Sequence, residues 1–299
     1  MNPHENPIQS RAPLRELVAF SVIAGGLATA LAVGLPDANI NVLLSALIPA
    51  LSVVILTFTM FRPGTRRQLW RGIGLNRAGV HTWGSALVIP LVLCGGAFGT
   101  ALLVGAGHLR PLHITGFTAS NFVLNTLVNF ALMMVILMGE EIGWRGFMLP
   151  RIQLLTSKRR AAVITGFVHG CFHLPLILIA TTYDAEGSRW LVAPITVLVI
   201  TAAGVFYAWI WDRSGSPWAV TLGHTAANLT FDFGFTAVAS STAASLAYVA
   251  GETGFATLGA CVVLAAVLLT RATVWRSPRD VTVVASQPLV EKVLVSVKL

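Results

Sequence analysis

The sequence predicts an all-α, polytopic membrane protein of about eight transmembrane helices around a cytoplasm-facing intramembrane cavity. Three observations predict it. The chain of 299 residues is 55% hydrophobic and only 11% charged, whereas a soluble domain is about a quarter charged. Apolar runs close to the ~20 residues that cross a bilayer as a helix recur along it. Basic residues are confined almost entirely to the segments between alternate runs. This composition excludes disorder. Its charges are dispersed, not gathered on a basic soluble face, so no nucleic-acid partner is expected. The runs are continuous and do not alternate, which speaks against a β-barrel.

Taken in order, the runs fall at residues 17–35, 40–61, 83–106, 122–144, 161–179, 191–211, 217–235 and 245–269. The first is longer than the apolar core of a signal peptide and no small-x-small cleavage site follows it, so a retained helix is expected. The seventh is interrupted by His224, Asn228 and Asp232, as suits a helix shielded from lipid by its neighbours. With eight spans, eighteen of the twenty Lys and Arg fall on one side, leaving only Arg110 and Arg189 opposite. Cytoplasmic loops carry such an excess, so both termini are expected in the cytoplasm, and the +8 net charge records orientation. A single transmembrane domain over 1–276 and a cytoplasmic tail over 277–299 complete the organisation. Cys94, Cys171 and Cys261 lack metal-type spacing and are expected to pack as small apolar residues.

Ionisable groups inside a membrane cost ~2.5–3.5 kcal/mol each on insertion scales and by default indicate function. Three clusters stand out. In Gly139-Glu140-Glu141-Ile142-Gly143-Trp144-Arg145, neighbouring helical residues point about 100° apart, so the two carboxylates diverge. Glu141 and Arg145, at i and i+4, can pair; Glu140 is left to face a cavity. In the fifth run His169 and His173 share a helix face at the spacing of paired metal ligands, followed by Pro175, which can kink the helix beside them. In the seventh, His224 and Asn228 again share a face, with alanines between them that permit close helix approach. Interfacial glutamates, a hydrogen-bonded core histidine and an interhelical lock are the plain alternatives for the three.

At these residues the chain resembles the CPBP family of intramembrane metalloproteases, which includes the type II CAAX prenyl endopeptidases and proteins linked to bacteriocin self-immunity. Glu140, Glu141 and Arg145 match E-E-x-x-x-R, His173 fits the end of F-x-x-x-H, and His224 with Asn228 matches H-x-x-x-N. His169 stands where that pattern has phenylalanine. The motif-bearing core covers 122–235. The resemblance implies peptide-bond hydrolysis: Glu140 activates water, His173 positions it, His224 and Asn228 stabilise the oxyanion, and Glu141 and Arg145 support them. This agrees with the chemistry of the residues, since a carboxylate held away from water is a better base and an amide and an imidazole can donate to an oxyanion. A divalent metal such as Zn2+ could be held by Glu140, His173 and His224 with one position open; a metal-free glutamate mechanism uses the same residues. His169 could add a ligand, an outer donor or packing alone.

The expected partners are the lipid bilayer and a membrane-anchored protein or peptide substrate, and the expected location is the cell membrane. Seventeen arginines against three lysines read like a GC-rich bacterial genome, in which prenylated substrates are not expected. Two other classes compete: a proton-coupled transporter, which would favour inverted repeats that the sequence does not display, and a non-catalytic scaffold or bacteriocin-immunity factor, for which Glu140→Ala would be silent.

Overall fold

Eight apolar runs in one chain must shield their backbone groups internally, and in lipid only helices or a closed barrel do so. The computed structural model describes residues 7–36, 40–110, 119–180, 188–242 and 244–276, and they form a helical bundle. Its helices are α1 (Pro7–Gly34), α2 (Ile40–Thr59), α3 (Pro63–Gly72), α4 (Trp83–Leu103), α5 (Ala119–Glu141), α6 (Leu149–Leu155), α7 (Lys158–Phe172), α8 (Leu174–Leu178), α9 (Arg189–Ser214), α10 (Pro217–Ala237), α11 (Ser245–Val249) and α12 (Phe255–Arg271). A π-helical turn, Ile142–Met148, joins α5 to α6. Two three-residue strands, β1 (Gly107–Leu109) and β2 (Val238–Ser240), pair antiparallel with Gly107 opposite Ser240.

Six stretches are long and apolar enough to cross a membrane: Ala12–Gly34, Ile40–Thr59, Val80–Leu103, Ser120–Leu155, Lys158–Leu178 and Arg189–Ser214. The count of eight expected from the sequence is not reached among the described residues. The seventh run forms the 21-residue α10, but His224, Asn228 and Asp232 dilute its apolar character. The eighth is divided, because Gly251 takes φ +85°, a left-handed conformation open to glycine at little cost, and the helix restarts as the 17-residue α12. The expected tail, 277–299, lies outside the described residues.

The bundle has two distinguishable ends. At one, Trp218 donates to the Leu75 carbonyl, His81 meets the Arg213 carbonyl, and Lys158 reaches that of Val274. Here α3 carries the basic segment after α2, and Arg66 donates to the carbonyls of Thr57 and Phe61 at 3.0 and 3.1 Å, satisfying acceptors that the end of α2 would leave open. At the other end β1 and β2 pair, Ser245 donates to the Ala106 carbonyl and Tyr248 accepts from the Ser188 amide. Two residues counted as loop charges are internal. Arg151 is buried against Glu16 of α1, and Arg145 is fully buried at the site described below. Each has a carboxylate partner that compensates removal of its charge from water.

Close approach of helices fixes the site's supports. A Cβ on Gly143 would lie 2.3 Å from Pro49 Cβ, and one on Gly139 would lie 2.6 Å from the Ala46 carbonyl oxygen. These glycines let the end of α5 and the π turn that follows it press against α2. Gly166 of α7 and Gly204 of α9 do the same for that pair; a Cβ on Gly166 would meet the Thr201 carbonyl at 2.7 Å. Such small-residue faces are how helices associate where no hydrophobic force separates them from lipid.

Candidate active site

The end of α5 carries two adjacent acids whose side chains diverge, as the 100° helical step requires. Glu140 turns into a cavity; Glu141 turns away into the packed interior, 0% exposed. The π turn then places Arg145 back over Glu141, with Nη1 3.1 Å from both carboxylate oxygens. Wide turns of this kind are rare and concentrate at functional sites. Glu141 Oε1 also accepts from Nδ1 of His224 on α10 at 2.9 Å. One buried carboxylate therefore ties α5, the π turn and α10 together.

α7 supplies the imidazoles. It ends at Phe172, and α8 begins at Leu174 with Pro175 in its first turn, so the expected kink is a break centred on His173. His169, one turn earlier, places Nε2 2.8 Å from Glu140 Oε2 and 3.4 Å from His173 Nε2. Its other nitrogen, Nδ1, faces Arg145 Nη1 at 3.4 Å. The ring is held flat by Trp144, stacked at a centroid distance of 4.8 Å, and Trp144 is wedged in turn against Phe20 and Phe172. The Arg145 guanidinium lies 5.0 Å from the centre of the Tyr207 ring, a cation–π contact that partly replaces lost hydration.

Glu140, His173, His224 and Asn228, read from the sequence as converging, all line one cavity, and His169 lines it with them. The cavity encloses about 1230 Å³, including the space open at its mouth. Its remaining wall is largely apolar. Glu141 and Arg145 stand behind it. The helical path that carries Glu140 continues beyond it through the π turn to Leu155. The three exposed wall residues, Val42, Leu43 and Glu252, come from the start of α2 and the α11–α12 connection, at the end away from the basic segments. Toward the basic end Ala86, Ile210, Trp211 and Val220 are all buried and fill the bundle.

Sequence reasoning missed three participants. Trp144 and Tyr207 gave no signal, being aromatic residues in apolar runs. Glu252 is an acid in a Gly-Glu-Thr-Gly connection, and only the fold brings it to the cavity. His169 was visible through its spacing to His173, though not its bond to Glu140.

The metal set expected from the sequence, Glu140, His173 and His224, lines the cavity together. Among the described residues the group whose ligand atoms lie within 4.8 Å of one another is Glu140, His169 and His173; His224 bonds Glu141 through Nδ1, which leaves its Nε2 open. Spacing suits an ion, but the surroundings of His169 do not suit it as a ligand. A neutral histidine bound to metal through Nε2 carries its proton on Nδ1 and donates it outward. Here Nδ1 faces arginine, which has donors only.

Residues 121–230 match the family model described as type II CAAX prenyl endopeptidase, Rce1-like. The matched segment contains Glu140, Glu141, Arg145, His173, His224 and Asn228. A search of curated proteins finds no match.

Proposed function

We propose that this chain is an intramembrane endopeptidase that hydrolyses peptide bonds of membrane-associated proteins or peptides with water activated by Glu140. The observation that carries the reading is that one largely apolar cavity is lined by a carboxylate, three imidazoles and an amide from three separate helical segments, all within the segment that matches the protease family model. Glu140 takes a proton from a water positioned beside His173, and the resulting hydroxide attacks the scissile carbonyl. The tetrahedral oxyanion accepts hydrogen bonds from the Asn228 amide and the His224 ring. Glu140 then passes its proton to the departing amine, so that one water is consumed per bond cleaved. Preorganised donors of this kind typically contribute a factor of 10²–10³ each.

Glu141 has a separate task. By accepting from His224 Nδ1 it fixes the ring's orientation, and with its second partner Arg145 it balances charge at the back of the site. A chain running eight times between the two ends, with the basic end cytoplasmic, accounts for the segregation of Lys and Arg. On that orientation substrates enter at the mouth lined by Val42, Leu43 and Glu252, remote from the cytoplasm.

The experiment compares wild type with Glu140→Ala and His224→Ala in liposomes against a membrane-peptide library. Loss of cleavage in both variants, with folding retained by size-exclusion and thermal unfolding, supports the reading. Cleavage that survives both overturns it.

A further inference from the structure

The polar network around His169 has a direction that follows from its donors and acceptors alone. Arg145 Nη1 holds two hydrogens, and arginine offers no lone pair. One hydrogen is shared by the two Glu141 oxygens, and the other points at His169 Nδ1, 3.4 Å away. Nδ1 must therefore be the bare nitrogen of a neutral ring, and the proton sits on Nε2. Nε2–H points at Glu140 Oε2, 2.8 Å away. His173 Nε2, at 3.4 Å from the same nitrogen, is on the accepting side. The ring cannot swing out of this arrangement, because Trp144 stacks on its face and the residue is 3% exposed.

We propose that His169 is a positioning residue: as the Nε2–H tautomer, held by Arg145, it fixes the Glu140 carboxylate toward the cavity and is not a metal ligand. The proposal rests on the endopeptidase reading for its consequence, though its geometry stands without it. A carboxylate with one oxygen engaged by a fixed donor keeps the other free for water, in one orientation. The phenylalanine that the F-x-x-x-H pattern would place here fills the same volume against Trp144 but donates nothing.

Two variants separate a hydrogen-bond donor from a metal ligand and from a packing residue. His169→Gln places an amide N–H near the position of Nε2–H and a carbonyl that can accept from Arg145; His169→Phe keeps ring packing alone. Cleavage by the full chain in liposomes should fall about ten- to a hundredfold in kcat for His169→Phe with KM little changed, the loss expected for a hydrogen bond to a charged group. His169→Gln should stay within about threefold of wild type. Equal impairment of both variants, or of neither, overturns the proposal.

A second measurement does not depend on activity. Selective 15N-histidine labelling of the full chain in detergent, with His169 assigned by its absence in His169→Gln, reads the tautomer directly. Protonated Nε2 with bare Nδ1, unchanged on adding Zn2+, is the expected result. Protonation at Nδ1, or a zinc-induced shift at Nε2 with stoichiometric metal retained after dialysis, overturns it. If wild type cleaves nothing while the tautomer is as expected, the endopeptidase reading fails and the hydrogen-bonded relay stands.

Discussion

Arg145→Met removes the partner of a carboxylate that has no access to water, and the consequence can be worked from its contacts. Glu141 is 0% exposed and receives three hydrogen bonds, two from Arg145 Nη1 and one from His224 Nδ1. Methionine roughly keeps the side-chain volume and packs beside Tyr207, so the main change is loss of charge and of two of those three bonds. Breaking a buried pair from one side typically costs 3–5 kcal/mol, mostly the penalty of the stranded charge. Arg145 itself has Nε and Nη2 without hydrogen-bond partners, so it contributes less than an ideally satisfied guanidinium, and about 3 kcal/mol is the expected loss. The assay is reversible unfolding in mixed micelles titrated with denaturing detergent. The partner variant matters more than the single one. Glu141→Gln with Arg145→Met removes both charges, and it should be less destabilised than Arg145→Met alone, giving a coupling energy of about 2 kcal/mol. A single variant within ~0.5 kcal/mol of wild type, or a double variant whose losses simply add, would refute the claim that this ion pair closes the back of the site.

Other perturbations follow from the same contacts. Gly166→Val sets a branched side chain where even a Cβ would meet the Thr201 carbonyl at 2.7 Å; α7 and α9 must separate, with an expected loss of about 1–3 kcal/mol and lowered cleavage, both measurable on the same preparation. Trp144→Ala removes the wall that holds His169 and leaves a void among Phe20, Phe172 and the ring. It should cost about 3–5 kcal/mol, and 15N-histidine spectra should show His169 losing its single tautomer. A cysteine at Leu43, in a background lacking Cys94, Cys171 and Cys261, should react with an impermeant maleimide from the face opposite the one that labels a cysteine at Arg71; labelling of both from one face would refute the placement of the mouth.

Helix positions were legible because every apolar run is near the length that crosses a bilayer, and that signal survives without any tertiary information. The pair Glu141–Arg145 was legible for the same reason: i and i+4 on a helix meet wherever the helix goes. What a run does at its edge was not. The turn after Glu141 is π-helical, and its seven residues continue the fourth run to Leu155. The division of the last run at Gly251 depends on a backbone conformation that hydropathy does not register. Charge was read as orientation at Arg145 and Arg151, yet both lie inside: Arg145 beside Glu141 one turn away, and Arg151 against Glu16 of α1, a carboxylate that sequence distance alone does not bring near.

The two adjacent glutamates show why the site required a fold and not only a motif. Side by side on α5, they share a backbone environment, a burial depth and a chemistry, and nothing local assigns them different work. Their partners do. Glu141 meets an arginine and a histidine from two directions and accepts all its hydrogen bonds from groups that hold it still. Glu140 meets one N–H, from His169, and otherwise faces the cavity. The residue that decides this division is Arg145, since its Nη1 grips Glu141 with one hydrogen and orients His169 with the other. A lysine there has three donors but no planar geometry to aim them, so Arg145→Lys should preserve charge while releasing His169. The stability of Arg145→Lys should therefore exceed that of Arg145→Met, whereas its 15N-histidine signature should lose the fixed Nε2–H tautomer. A lysine variant that keeps both would place the division of roles elsewhere than in the arginine.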